Sequence, residues 1–145
     1  MTSWHELAAA VRARAGDRCE YCRMHQWLQG ATLHVEHVVP HTRGGDDCLD
    51  NLAWACPGCN LRKSNRIEAI DPQSLQVSPL FHPRNHDWRE HFFWDGLELR
   101  GLSGVGRATI TALDLNHPRR IAIREAEMAF GLLSPDDDHS GPSVP

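Results

Sequence analysis

Two cysteine pairs, Cys19-x-x-Cys22 and Cys56-x-x-Cys59, constrain this chain more than any other feature. Each pair places two sulfurs at the end of a tight turn, and two such knuckles brought together make a tetrahedral four-thiolate cage. A single pair would read equally well as a redox motif, but nothing around these resembles a thioredoxin context. A structural metal is therefore expected, with Zn2+ as its default occupant. A rubredoxin-like iron centre would use the same ligands and would show itself by visible absorbance. Four thiolates leave no open coordination position, so this metal should hold structure and not do chemistry.

The remaining composition narrows the setting. The chain has 145 residues, which suits one ordinary domain with appendages. The N-terminal stretch lacks a basic region followed by an apolar run, and no segment approaches the about 18 apolar residues of a membrane span. A soluble, cytoplasmic protein with no membrane partner is expected. Five cysteines are poor disulfide candidates in a reducing compartment, and the odd one, Cys48, reads as a small half-buried residue. The formal net charge of -4 argues weakly against a polyanionic partner. Most of that net excess, however, sits in Asp136, Asp137 and Asp138 of a terminal run too polar to pack, so a disordered acidic tail is expected over 134–145. Arg62, Lys63 and Arg66, directly after the last paired cysteine, make a plausible phosphate contact.

Local patterns then order the elements. Ser3 with Glu6 is a capping-box pair, and Trp4, Leu7, Ala8 and Val11 follow at helical spacing until Gly16, which predicts a helix over about 3–15. Leu33, Val35, His37 and Val39 alternate with Thr32, His34, Glu36 and Val38 as in a strand ended by Pro40. A Gly-rich loop leads to a short second strand, NLAWAC, and Pro57 opens a helix that the pattern carries on through IEAI. From Asp71 a proline-broken segment is expected to run extended. Asp95-Gly96 suggests a hairpin, 105–115 fits helix or strand, 119–131 reads as helical, and Gly104-Val105-Gly106 reads as a turn.

The string EHVVPHTRGGDDCLDNLAWACPGCNLRKSNR resembles the HNH nuclease motif, with its acid-histidine pair, proline, Gly-Gly loop, Asn-Leu strand start and CxxCN-x-x-K lead into a helix. The resemblance implies an α+β fold: a ββα-metal module stapled by the four-cysteine zinc site, with an N-terminal helix and a C-terminal α/β extension wrapping it. Residues 1–70 would form the module and 71–133 the extension.

It also implies roles. His37 would be the general base, a task that suits neutral imidazole because its ordinary pKa lies near working pH. Glu36 and Asn60 would hold one divalent cation, and such hard oxygen donors suit Mg2+ or Mn2+, with Ni2+ admissible. Asn51 would brace the loop that aims the histidine. The implied activity is metal-dependent endonuclease hydrolysis of DNA, with double-stranded DNA as the expected substrate, by a chain expected to be monomeric. Two departures from the common pattern stand out: Glu36 where Asp is usual, and Asn60 where the family name has His. Neighbours on a regular strand also point to opposite faces, so Glu36 and His37 can share one site only where the strand twists or ends.

His41 is close enough in sequence to assist, whereas His82, His86 and His91 read as packing residues. A competing function is a zinc-ribbon binding module without catalysis, serving as a nucleic-acid or protein adaptor. Cleavage that depends on His37 separates the two.

Overall fold

The computed structural model describes residues 2–30 and 32–133. The expected acidic tail lies outside the described residues. Helix α1 spans Trp4–Ala15, and the capping box forms as the sequence predicts: Ser3 Oγ accepts from the Glu6 N–H at 3.1 Å while Glu6 Oε2 accepts from the Ser3 N–H at 2.8 Å. Gly16 ends the helix at φ 63°, a left-handed conformation that glycine adopts without a Cβ penalty.

After the first knuckle, β1 (His34–His37) and β2 (Leu52–Ala55) pair antiparallel, with Glu36 opposite Ala53 and His37 opposite Leu52. The first strand is shorter than its alternation suggests and turns a different face inward. Leu33 is buried ahead of the strand, but within and beyond it Glu36 and Val38 are buried while Val35 and His37 are half-exposed. Helix α2 (Pro57–Lys63) starts with Cys56 as its cap and proline in its first turn, which costs nothing because that N–H has no helical partner.

The expected continuation of α2 through IEAI does not form. Ser64 takes φ 51° and breaks the helix, and β3 (Glu68–Ile70) instead pairs with β4 (Val77–Pro79). The cause is a side chain remote from the local periodicity. Asp71 is fully buried, and its carboxylate accepts from the N–H groups of Gln73 at 3.0 Å and Ser74 at 3.3 Å, closing the turn of this hairpin. Arg107 Nε and Nη2 each donate to it at 2.9 Å. That guanidinium fork holds the Asp71 carboxyl well below the usual carboxylate range.

A depressed folded-state pKa contributes stability that is present above the ordinary carboxylate pKa and is lost as pH falls through the lower folded value. Asp71→Asn should therefore lower the melting temperature by on the order of 5 °C at pH 7. The gap from wild type should begin to narrow below about pH 4 and go on narrowing as pH falls toward the lower folded value. Calorimetry at pH 7 and at about pH 2 checks this, and an equal gap at both would show that charge is not what Asp71 contributes.

The extension is more regular than a wrapping coil. Helix α3 (Trp88–His91) leads into β5 (Phe92–Asp95), which pairs with β6 (Glu98–Gly101) across the anticipated turn, where Gly96 sits at φ 62°. Helix α4 (Gly104–Ala112) absorbs the Gly-Val-Gly stretch read as a turn. Ser103 caps it, and the missing side chain of Gly106 lets the helix press onto the chain at His91, whose carbonyl oxygen would lie 1.9 Å from a Cβ there. Helix α5 spans Pro118–Ala129.

One apolar cluster runs across both parts. Val11, Tyr21, Leu52 and Trp54 of the N-terminal part pack in the same core as Phe81, Trp88, Phe92, Leu113 and Leu115. Trp88 adds a hydrogen bond from Nε1 to the Tyr21 carbonyl at 3.3 Å. Among the described residues, no helix is long and apolar enough to cross a membrane.

Candidate functional site

The knuckles meet as their spacing requires. In the first, the Arg23 N–H returns to the Cys19 carbonyl at 2.9 Å with Arg23 itself at φ 67°, and Cys19 N–H bonds Met24 at 2.9 Å. In the second, Cys56 Sγ accepts from the Cys59 N–H at 3.4 Å at the start of α2. All four cysteines are buried, and their sulfurs lie within 4.8 Å of one another. Such a donor set fits a tetrahedral zinc ion. Burial and the crowding sulfurs push the Cys19 thiol well above its usual range, a cost that a bound cation removes by stabilising the thiolates.

Helix α5 contributes a feature the sequence reading missed. Arg120 is buried, and its Nη1 donates to Cys59 Sγ at 3.2 Å. Burial works against its charge, but the sulfurs of Cys59 and Cys22 outweigh that cost and hold the proton on. Four thiolates around zinc make a dianionic centre, so a guanidinium against one sulfur offsets part of that charge. Gly58 makes room for it, since a Cβ there would meet Arg120 Nη2 at 2.5 Å. Only the pairing of a knuckle with a distant helix reveals this contact, and no local motif announces it.

The Glu36 carboxylate sits in a polar nook behind β1. Its Oε2 accepts from Tyr21 Oη at 2.6 Å and its Oε1 from Lys63 Nζ at 2.5 Å. Lys63 Nζ also donates to the carbonyls of Val38 at 2.8 Å and His37 at 3.3 Å, so three oxygens surround the ammonium. Desolvation raises the Glu36 pKa, and the Lys63 charge opposes that rise. Lys63 is 1% exposed. Its expected role as a phosphate contact is therefore corrected: the ammonium is spent inside the fold, fixing Glu36 and the end of β1. Arg66 is half-buried and donates to the carbonyls of Arg62 at 2.6 Å and Ala112 at 3.0 Å, while exposed Arg62 lies 3.6 Å from Asp114.

His37 faces outward, at the point where the strand stops. It lines an open groove with Val35, Glu36, His41, Asn60 and Ser64 among others, while the Glu36 carboxylate itself turns inward to Tyr21 and Lys63, as alternation along the strand requires. Trp4 of α1 stacks on the imidazole, with centroids 5.7 Å apart and planes 18° from parallel.

Asn51 is buried and staples the loop beyond. Its Oδ1 accepts from the Val39 N–H at 2.8 Å, and its Nδ2 donates to the carbonyls of Val39 and Asp46 at 2.9 Å each. Gly45 allows that closure, because a Cβ would fall 1.6 Å from the Val39 carbonyl oxygen. The stapled loop returns Asp47, which sequence reasoning did not single out, to the histidines. Asp47 Oδ1 lies 2.8 Å from His37 Nε2 and 2.7 Å from His41 Nε2. Hydrogen bonds from these rings, His37 first, hold the Asp47 carboxyl below its ordinary range.

The family model of HNH endonucleases matches residues 19–66, from the first knuckle cysteine to the basic end of the ββα unit. No curated protein and no solved structure compared with the chain matched it.

Proposed function

From the HNH endonuclease module carried by residues 19–66, we propose that the protein is a metal-dependent endonuclease that hydrolyses phosphodiester bonds of double-stranded DNA. The observation that carries this reading is the His37 imidazole, set at the lip of a groove it shares with Glu36 and Asn60 and held at Nε2 by Asp47. Asp47 keeps a proton on Nε2, which leaves the lone pair of neutral imidazole on Nδ1. That nitrogen takes the proton from a water attacking phosphorus in line; the new O–P bond forms as the P–O3′ bond breaks, and the departing oxygen takes a proton from solvent water, giving 5′-phosphate and 3′-hydroxyl ends.

Glu36 and Asn60 would hold the catalytic cation, Mg2+ or Mn2+ with Ni2+ admissible. Each Glu36 oxygen accepts one hydrogen bond and keeps a further lone pair, and Asn60 adds a second hard oxygen beside the same groove. Such an ion supplies charge stabilisation on the scissile phosphate and the departing oxygen. Lys63, by fixing Glu36, positions that carboxylate without touching substrate. Exposed Arg62 is the better candidate for a backbone phosphate, with Arg66 half-committed to the fold.

The full engagement of Glu36 by Tyr21 and Lys63 favours a second reading, a zinc-stapled adaptor that binds without cutting. Supercoiled plasmid, chelated and then supplied with Mg2+ or Mn2+, separates the two. Wild type should nick it, and His37→Ala should lower the rate by about 10²- to 10⁴-fold with zinc content and circular dichroism unchanged. Equal behaviour of the two proteins would leave the adaptor.

A further inference from the structure

The loop that carries His41 and Asp47 is set up for more than support of His37. One ring nitrogen each from His37 and His41 and a carboxylate oxygen of Asp47 all lie within 4.8 Å of one another, with both Nε2 atoms directed at Asp47 Oδ1, whereas Glu36 points inward to Lys63 and Tyr21. We propose that His37, His41 and Asp47 form a second metal site, selective for a borderline divalent ion such as Zn2+, and that its occupation switches the nuclease off.

The donor set decides the class of ion. Two imidazoles and one carboxylate suit zinc, cobalt or nickel, whereas magnesium prefers an all-oxygen shell. Bonds of about 2.0–2.1 Å from a tetrahedral ion put ligand atoms about 3.3 Å apart. The pairs at 2.8 and 2.7 Å need to open by only about half an ångström on that geometry. His41 and Asp47 are exposed and can move that far.

The backbone beneath them is already ordered. Asn51 bonds Val39, which lies between the two histidines, and Asp46, which precedes the carboxylate. Pro40 opens the short 3-10 turn His41–Arg43, and Trp4 braces the His37 ring. Three protein ligands leave the fourth position open to water, the arrangement of an exchangeable rather than a buried ion.

Proton accounting gives the consequence. Without the ion, Asp47 Oδ1 accepts from the Nε2–H of both rings, and each neutral imidazole carries its lone pair on Nδ1. Coordination takes the Nε2 lone pair, so the single proton of each ring moves through solvent to Nδ1, with no net proton released. His37 then has no lone pair to offer a water. The inhibitory step rests on the nuclease reading, whereas the metal site itself does not.

The test uses the untagged, zinc-loaded protein titrated calorimetrically with ZnCl2. Wild type should take up one further equivalent in the presence of millimolar Mg2+, and His41→Ala and Asp47→Asn should each weaken that uptake at least tenfold. In the plasmid assay with Mg2+, added zinc should stop wild type at the concentration that fills this equivalent, while His41→Ala keeps cutting. A further equivalent that is missing in wild type, or that survives in both variants, overturns the site. Zinc uptake that follows the prediction, with no Mg2+-dependent cutting at all, keeps the site and removes the nuclease. Zinc-loaded protein that cuts at equal rates before and after the further equivalent is filled overturns the switch.

Discussion

Stripping the metal from Cys19, Cys22, Cys56 and Cys59 is expected to unfold the N-terminal half of the chain, not merely to slow a reaction. Zinc bound by structural thiolates carries an apparent free energy of about 10–16 kcal/mol at neutral pH, comparable to or larger than the about 5–15 kcal/mol that holds an ordinary domain together. Here the cage joins the turn after α1 to the start of α2, and its sulfurs belong to the same core as Val11, Tyr21, Leu52 and Trp54. Once the ion leaves, four buried sulfurs share a space that only thiolates on a cation fill favourably, and Arg120 loses the charge it faces. Far-ultraviolet circular dichroism during chelation, with released zinc followed in parallel, should show loss of helix together with the metal. Cys56→Ser should reproduce the effect at saturating zinc. An apo-protein that melts within a few degrees of the holo-protein would show that apolar packing, not the cage, holds these elements.

The second large effect is at Lys63. Lys63→Met removes the ammonium from among Glu36, the Val38 carbonyl and the His37 carbonyl, leaving a buried carboxylate supported by Tyr21 alone. Breaking a buried pair by deleting one partner costs about 3–5 kcal/mol, because the survivor keeps its desolvation penalty. The loss has a defined pH dependence. Burial already raises the Glu36 pKa, and without Lys63 it rises further. A carboxyl whose folded pKa exceeds its unfolded value costs nothing while both states are protonated, and the cost grows as pH climbs through the interval between them. The deficit of Lys63→Met should therefore be small near pH 4 and largest at neutral pH.

Adding Glu36→Gln removes the orphaned charge and returns an amide that can accept from Tyr21 and donate to a carbonyl, so the double variant should recover more than half of the loss. Urea midpoints at the two pH values read both effects. A Lys63→Met protein that is fully stable but binds DNA poorly would return Lys63 to the surface role suggested by its place beside Arg62 and Arg66.

These two sites mark the boundary of what local pattern could convey. The knuckles, the capping box at Ser3 and Glu6, the Gly16 stop, the turn at Asp95-Gly96 and the helix near the C-terminus were legible because each depends on residues within a turn or two of one another. Metal geometry and backbone hydrogen bonding fix their form before any tertiary contact is made. The brace by Asn51 was legible only through the family resemblance, and its bonds to Val39 and Asp46 supply the physical content of that role.

What the sequence could not decide is which way side chains turn and where long-range partners arrive. Lys63 reads as one of three basic surface residues, yet a carboxylate 27 positions earlier draws it into the fold, as the 2.5 Å Lys63–Glu36 contact shows. Periodicity carries α2 through IEAI, yet Asp71, locked by Arg107 from α4, makes a hairpin there instead. Asp47 looks like one acid among several in a loop until Gly45 and Asn51 fold it back onto two imidazoles. In each case a charged or hydrogen-bonding group leaves water only where a complementary group from another element meets it, and that meeting is a property of the packed chain rather than of any stretch of it.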